Sequence, residues 1–117
     1  MKNLGKLGLL KKRSEFLFVR EGRYQARGGI VIQARKNPDH NNVRVGFTAT
    51  KKIGNAVVRN RAKRRLRAAA QELLPTLGLS GTDYVFIARD STAKRPYQAL
   101  LNDAQQALIK LSKQHKD

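Results

Sequence analysis

No Asp or Glu occurs between Asp39 and Glu72, yet nine cations do: Arg44, Lys51, Lys52, Arg59, Arg61, Lys63, Arg64, Arg65 and Arg67. Such a segment cannot be a salt-bridged solvent face, because that arrangement needs opposite charges three and four residues apart. Its densest part, RNRAKRRLR over 59–67, sets six cations in nine residues on a helix-forming stretch. Val58, Ala62, Leu66, Ala69 and Leu73 fall within an arc of roughly 80° at about 100° per residue. Arg59, Lys63 and Arg67 form the adjacent stripe, and Asn60 and Arg64 continue it. A helix patterned this way lays one flank on a packed layer and leaves the other for a polyanion. A run that merely solubilises the chain is the competing reading, and the missing acids count against it.

The rest of the composition agrees. A net charge of +17 makes the chain repel itself, and exchange of condensed counterions on a nucleic acid relieves that repulsion. At 117 residues the chain is expected to form one domain, with an ordered part over about 9–112, burying roughly two-thirds of its unfolded surface. There is no Cys, which excludes disulfides, thiolate chemistry and cysteine zinc sites and is compatible with a reducing cytoplasm. Apolar runs such as Ile30-Val31-Ile32 fall far short of the roughly 18 residues of a membrane span. The opening MKNLGKLGLLKKR lacks a secretory pattern and reads as a short flexible lead-in.

Periodicity predicts a helix over Arg13–Arg20 ending near Gly22, a small strand over Arg23–Ala26, and a longer one through GIVIQAR after Gly28-Gly29. The turn NPDHNN leads to VRVGFTAT, where Val43, Val45, Phe47 and Ala49 point one way and Arg44, Gly46, Thr48 and Thr50 the other. Gly54 permits a sharp turn, Asn55 is a fitting N-cap, and the basic helix is expected to run to about Leu74, before Pro75. DYVFIAR reads as a buried strand. Pro96 opens a last helix whose Tyr97, Leu101, Ala104, Leu108 and Leu111 share a face, dissolving into SKQHKD. The order is that of a single α+β domain.

Catalytic groups are scarce. His40 sits in a turn and His115 in a tail, where solvated histidines are the rule, and the eight carboxylates show no paired spacing for a two-metal nuclease. GNAVVRNR lacks the Gly-Lys-Ser/Thr ending of a phosphate-cradling loop. Phe16 and Phe18 lie among Lys11, Lys12, Arg13 and Arg20, a composition that lets bases stack while phosphates are neutralised, although core packing is the favoured reading for either ring alone. Tyr24 and Tyr84 are open to the same two readings. Phe47 is assigned to the core by strand alternation.

The stretch VGFTATKKIGNAVVRNRAKRRLR over 45–67 resembles the signature of the bacterial ribonuclease P protein component. Thr50 with Lys51-Lys52, then Gly54-Asn55-Ala56-Val57, then Arg59-Asn60-Arg61 carry the likeness. Leu10-Lys11-Lys12 before Phe16, with Val19 and Gly22, and Ile87-Ala88-Arg89 extend it to about residues 9–112. The resemblance implies a compact α-β-β-β-α-β-α sandwich like a ribosomal-protein domain, with a left-handed crossover at the basic helix that the usual preference would not suggest.

It further implies a subunit of a ribozyme endoribonuclease that matures the 5′ end of transfer RNA, with the chemistry on a catalytic RNA and its magnesium ions. No catalytic residue, metal ligand or cofactor is then expected on this chain. The implied partners are the ribonuclease P RNA and precursor transfer RNA, with no membrane and no obligate protein partner, in the cytoplasm. Lys51, Lys52, Arg59, Asn60, Arg61, Lys63, Arg64, Arg65 and Arg67 would meet the RNA subunit. Lys12, Arg13, Phe16, Phe18, Thr48 and Thr50 would hold the single-stranded 5′ leader. This chain has Arg20 and Gln33 where the family often carries aromatics, and Phe18 is a possible replacement. A ribosomal or ribosome-assembly protein is the alternative that charge, size and fold class leave open.

Overall fold

The computed structural model describes residues 7–114. Five strands, β1 (Leu7–Leu9), β2 (Arg23–Arg27), β3 (Ile30–Lys36), β4 (Val43–Thr48) and β5 (Thr82–Ala88), form one sheet in the order β1-β4-β5-β3-β2. Three helices, α1 (Arg13–Arg20), α2 (Ala56–Leu77) and α3 (Tyr97–Gln114), are laid on it. β2, β3 and β5 pair antiparallel, whereas β4 runs parallel to both β5 and β1. Parallel neighbours cannot be joined by a hairpin, so α2 serves as the crossover from β4 to β5.

Alternation assigns the two sheet faces. Ile30, Ile32, Val45, Tyr84 and Phe86 are buried in the main core against Ala62, Leu66, Ala69, Ala70, Leu73 and Leu74 of α2 and Leu100, Ala104, Ala107, Leu108 and Leu111 of α3. Phe47 joins this core edge-on to Phe86, with ring centroids 6.0 Å apart. The opposite face carries a smaller cluster of Leu10, Val19 and Val85, joined by Phe16, Phe18 and Ile87. Among the described residues only the eight-residue α1 crosses that face, so part of it is left uncovered by them.

Two boundaries depart from the sequence reading. Leu7–Leu9, taken for a flexible lead-in, adds a strand to the edge at β4, in register Leu7↔Val43 and Leu9↔Val45. An edge strand this short has too little periodicity to announce itself. Pro75 lies inside α2 instead of ending it. Proline takes its own amide from the ladder and crowds the carbonyl four residues back, yet the last turn is still closed by the Gly78 amide donating to the Leu74 carbonyl at 2.8 Å.

Candidate nucleic-acid interface

The basic helix is aimed by the turn before it. After a 3-10 turn over Lys51–Ile53, Gly54 takes φ +146°, a region closed to most side chains, and a Cβ there would stand 2.9 Å from Cβ of Val58. Asn55 then caps α2, its Oδ1 accepting from the Val58 amide at 3.0 Å. Lys51, Lys52, Asn60, Arg61, Arg64 and Arg67 are exposed along this segment, with Arg59, Lys63 and Arg65 half-buried. Among the described residues none of these cations is ion-paired.

The ridge nevertheless has two flanks with different duties. Arg61 donates from Nε to the Ala93 carbonyl at 2.8 Å, and Arg65 donates to the carbonyls of Thr92, at 2.7 Å, and Arg95. Burial, and secondly the nearby Arg61, push the Arg65 pKa below the ordinary arginine value. Thr92 is itself fully buried, donating to the Gly29 carbonyl at 2.6 Å and accepting from the Arg89 amide at 2.7 Å. Arg65 is therefore a strut holding the 89–95 loop on α2. On the other flank the Arg67 guanidinium lies 5.4 Å from the Phe47 ring centroid, in cation–π range. Lys51, Lys52, Arg59, Asn60, Lys63, Arg64 and Arg67 make no protein hydrogen bond through their side chains among the described residues.

Arg44, counted at first with the unpartnered cations, is not one of them. It lies on the α1 side of the sheet, where its Nε and Nη2 each donate to the buried Asp83 carboxylate at 2.8 Å, and its Nη1 lies 3.6 Å from Glu15. Asn37 and His40 complete the ring around Asp83 at 3.0 and 2.8 Å. Burial alone would raise the Asp83 pKa, but the hydrogen bonds from Arg44, Asn37 and His40 outweigh it and hold the carboxyl below its usual value. Glu15 is likewise lowered, first by the Lys12 and Lys11 amides that its carboxylate accepts. His40 is thus a structural partner and not a solvated turn residue: its Nδ1 accepts from the Asn42 amide at 3.0 Å, so Nε2 carries the proton toward Asp83. His115 lies outside the described residues.

The second feature is the open part of the α1 face. Register aligns Ala26, Val31, Ile87 and Thr48 in one cross-strand row, and Tyr24, Gln33, Val85 and Gly46 in the next. Helical spacing turns Arg13, Phe16 and Arg20 toward this floor. Phe16 reaches over Gly46 so closely that a Cβ would meet its Cζ at 2.6 Å. Lys12, Arg13 and Thr50 are exposed and Phe16 and Thr48 half-buried; Lys12 lines a depression on the flank of Phe18, with His40, Arg44 and Asp83, whereas Phe16 and Thr48 share the α1 side of the sheet.

Phe18 does not join them. It is turned to the other flank of α1, where the Arg35 guanidinium stacks 4.1 Å from its ring centroid and also donates to its carbonyl at 3.0 Å. A single cation contributed by β3 thus covers this ring, a long-range fact invisible to local spacing.

Among the described residues no three His, Cys, Asp or Glu side chains cluster as a metal site, and no helix is long and apolar enough to cross a membrane. A cationic helix on one sheet face and a groove mixing an aromatic ring with cations on the other describe an RNA-gripping fold.

The family model for ribonuclease P matches residues 4–112. The chain belongs to the ribonuclease P protein family. It is 52% identical over 108 residues to the ribonuclease P protein component of Ruegeria pomeroyi, covering 90% of this chain and 86% of that one. The component of Caulobacter vibrioides is 52% identical over 104 residues, covering 88% and 70%. Among solved structures, the Staphylococcus aureus RNase P protein superposes with a TM-score of 0.74 at 26% identity, over 90% of this chain and 94% of that one. The Thermotoga maritima RNase P protein gives 0.73 at 24% identity, over 86% and 94%, a likeness of fold. The fold expected of a ribonuclease P protein is therefore present, with the added edge strand β1. The ribosomal alternative draws no support from these likenesses.

Proposed function

We propose that the protein is the RNA-gripping subunit of ribonuclease P, binding the catalytic RNA through the α2 ridge and the 5′ leader of precursor transfer RNA through the α1 groove. In this reading phosphodiester hydrolysis belongs to the RNA and its magnesium ions. The disposition of this chain's own acids supports that division: Asp83 is locked by Arg44, Asn37 and His40, Glu15 by backbone amides, and Asp103 by Arg95. None of these three is free to hold an ion or activate water.

The observation that carries the proposal is the placement of ridge and groove on opposite faces of one sheet. One polyanion can be held by cations that neutralise phosphates without reading sequence, and another by stacking tolerant of base identity. Such indifference to sequence suits a factor serving many precursors, and cytoplasmic residence follows from that role.

Reconstitution with a ribonuclease P RNA provides the test. Phe16→Ala is expected to weaken precursor binding about tenfold while leaving mature transfer RNA unaffected, the loss of one stacked base. Equal weakening of both by a folded variant would remove the leader from the groove.

A further inference from the structure

The groove has an unexplained far end. Tyr24, on the edge strand β2, is 65% exposed, second only to Val57 among the large apolar side chains of the described residues. Antiparallel register sets it directly beside Gln33, then Val85 of β5 and Gly46 of β4, which underlies Phe16. Side chains opposite one another in adjacent strands share a face, so Tyr24 and Phe16 stand over the two ends of one cross-strand row. Three strand spacings of about 4.8 Å separate the two backbone positions by about 14 Å. Arg20, in the last turn of α1, is exposed, and only Glu21, Gly22 and Arg23 separate it from Tyr24 along the chain.

A solvent-exposed tyrosine on a sheet, with a guanidinium nearby and a half-buried amide beside it, has the makeup of a stacking platform for an unpaired base. Of the other aromatics on this side, Phe18 lies under Arg35, and Phe16, seated on Gly46, is the ring already assigned to the leader. From these facts we infer that Tyr24 is a second base-stacking residue for single-stranded RNA, receiving a leader nucleotide roughly two to four positions further from the transfer RNA body than the one at Phe16. Gln33 between them can hydrogen-bond the bridging nucleotides. The inference rests on the leader reading above and extends its track to the sheet edge.

Leader length separates the two claims. Holoenzyme reconstituted with the RNA subunit is titrated with precursors bearing leaders of about two and about eight nucleotides. Tyr24→Ala is expected to weaken the long-leader precursor about tenfold and leave the short-leader one at the wild-type value, with Tyr24→Phe retaining most of the affinity. Phe16→Ala is expected to weaken both. Equal affinities of Tyr24→Ala and wild type for the long leader, with Phe16→Ala still discriminating precursor from mature transfer RNA, would overturn the Tyr24 assignment and leave the leader groove standing. Loss of leader dependence at neither residue would overturn both. Because Tyr24 is exposed at an edge, its replacement is not expected to unfold the chain, and an unchanged melting temperature checks that directly.

Discussion

Phe16 rests on the bare Cα of Gly46: a Cβ at that glycine would lie 2.6 and 2.7 Å from two ring carbons and 3.1 Å from Cβ of Leu10. The groove's aromatic ring is therefore positioned by an absence of side chain in β4. Gly46→Ala is expected to push the ring outward, costing about 1–3 kcal/mol of stability as overpacking. Precursor affinity should fall with it while the salt dependence of RNA-subunit binding is unchanged. Denaturant unfolding and binding titrations on the same variant read both quantities.

The two flanks of the ridge should respond differently to truncation. Replacing Arg59, Lys63 and Arg67 together by Ala is expected to lower the slope of log K against log salt for RNA binding by about two, at roughly 0.7–0.9 per phosphate contact. Arg65→Ala should leave that slope unaltered, and instead cost about 2 kcal/mol by stranding the Thr92 and Arg95 carbonyls it serves. Faster amide exchange across 89–95 would accompany it. An Arg65 variant with wild-type stability and a reduced slope would place its guanidinium on the RNA.

Acid should loosen the protein through Asp83. Its folded pKa lies below the unfolded value, so its contribution is complete above the ordinary carboxylate range and is lost as the pH falls through the folded value; Glu15 adds in the same direction. Asp83→Asn leaves Arg44 half-buried without its anion, and about 3 kcal/mol is expected to disappear at neutral pH. The acid limb of the stability curve should flatten correspondingly. Thermal melts across the acid range on both proteins test the slope.

Phe18→Leu is expected to lower stability by about 1 kcal/mol, through lost packing and the lost cation–π contact with Arg35. Discrimination between precursor and mature transfer RNA should persist. Loss of that discrimination in a folded Phe18→Leu protein would return the ring to the groove.

The elements were largely legible because their periodicities are long and consistent: α1 over Arg13–Arg20 and the Asn55 cap fall where residue spacing and capping chemistry place them. Ridge and main core followed from one helical wheel. What escaped was set by partners distant in sequence. Arg44 has the same local signature as Lys51, and only the neighbouring strand supplies Asp83, across the Arg44↔Asp83 register. A lone acid in the apolar run DYVFIAR was the available hint, since an unpaired buried carboxylate is untenable. Arg65 could not be told from Arg64 without the 89–95 loop in place, and Phe18 could not be told from Phe16 without Arg35.

The brief link from Thr48 through the 3-10 turn to the Asn55 cap has a mechanical consequence. Groove floor and cationic rod are joined by a short elbow, with Gly54 in a conformation that few residues can copy and α2 packed on the same sheet. Any two polynucleotides seated on them are held at a set distance and angle. On the proposed reading the polypeptide would work as a gauge, fixing how far a substrate's end can travel relative to the ribozyme before contact is lost.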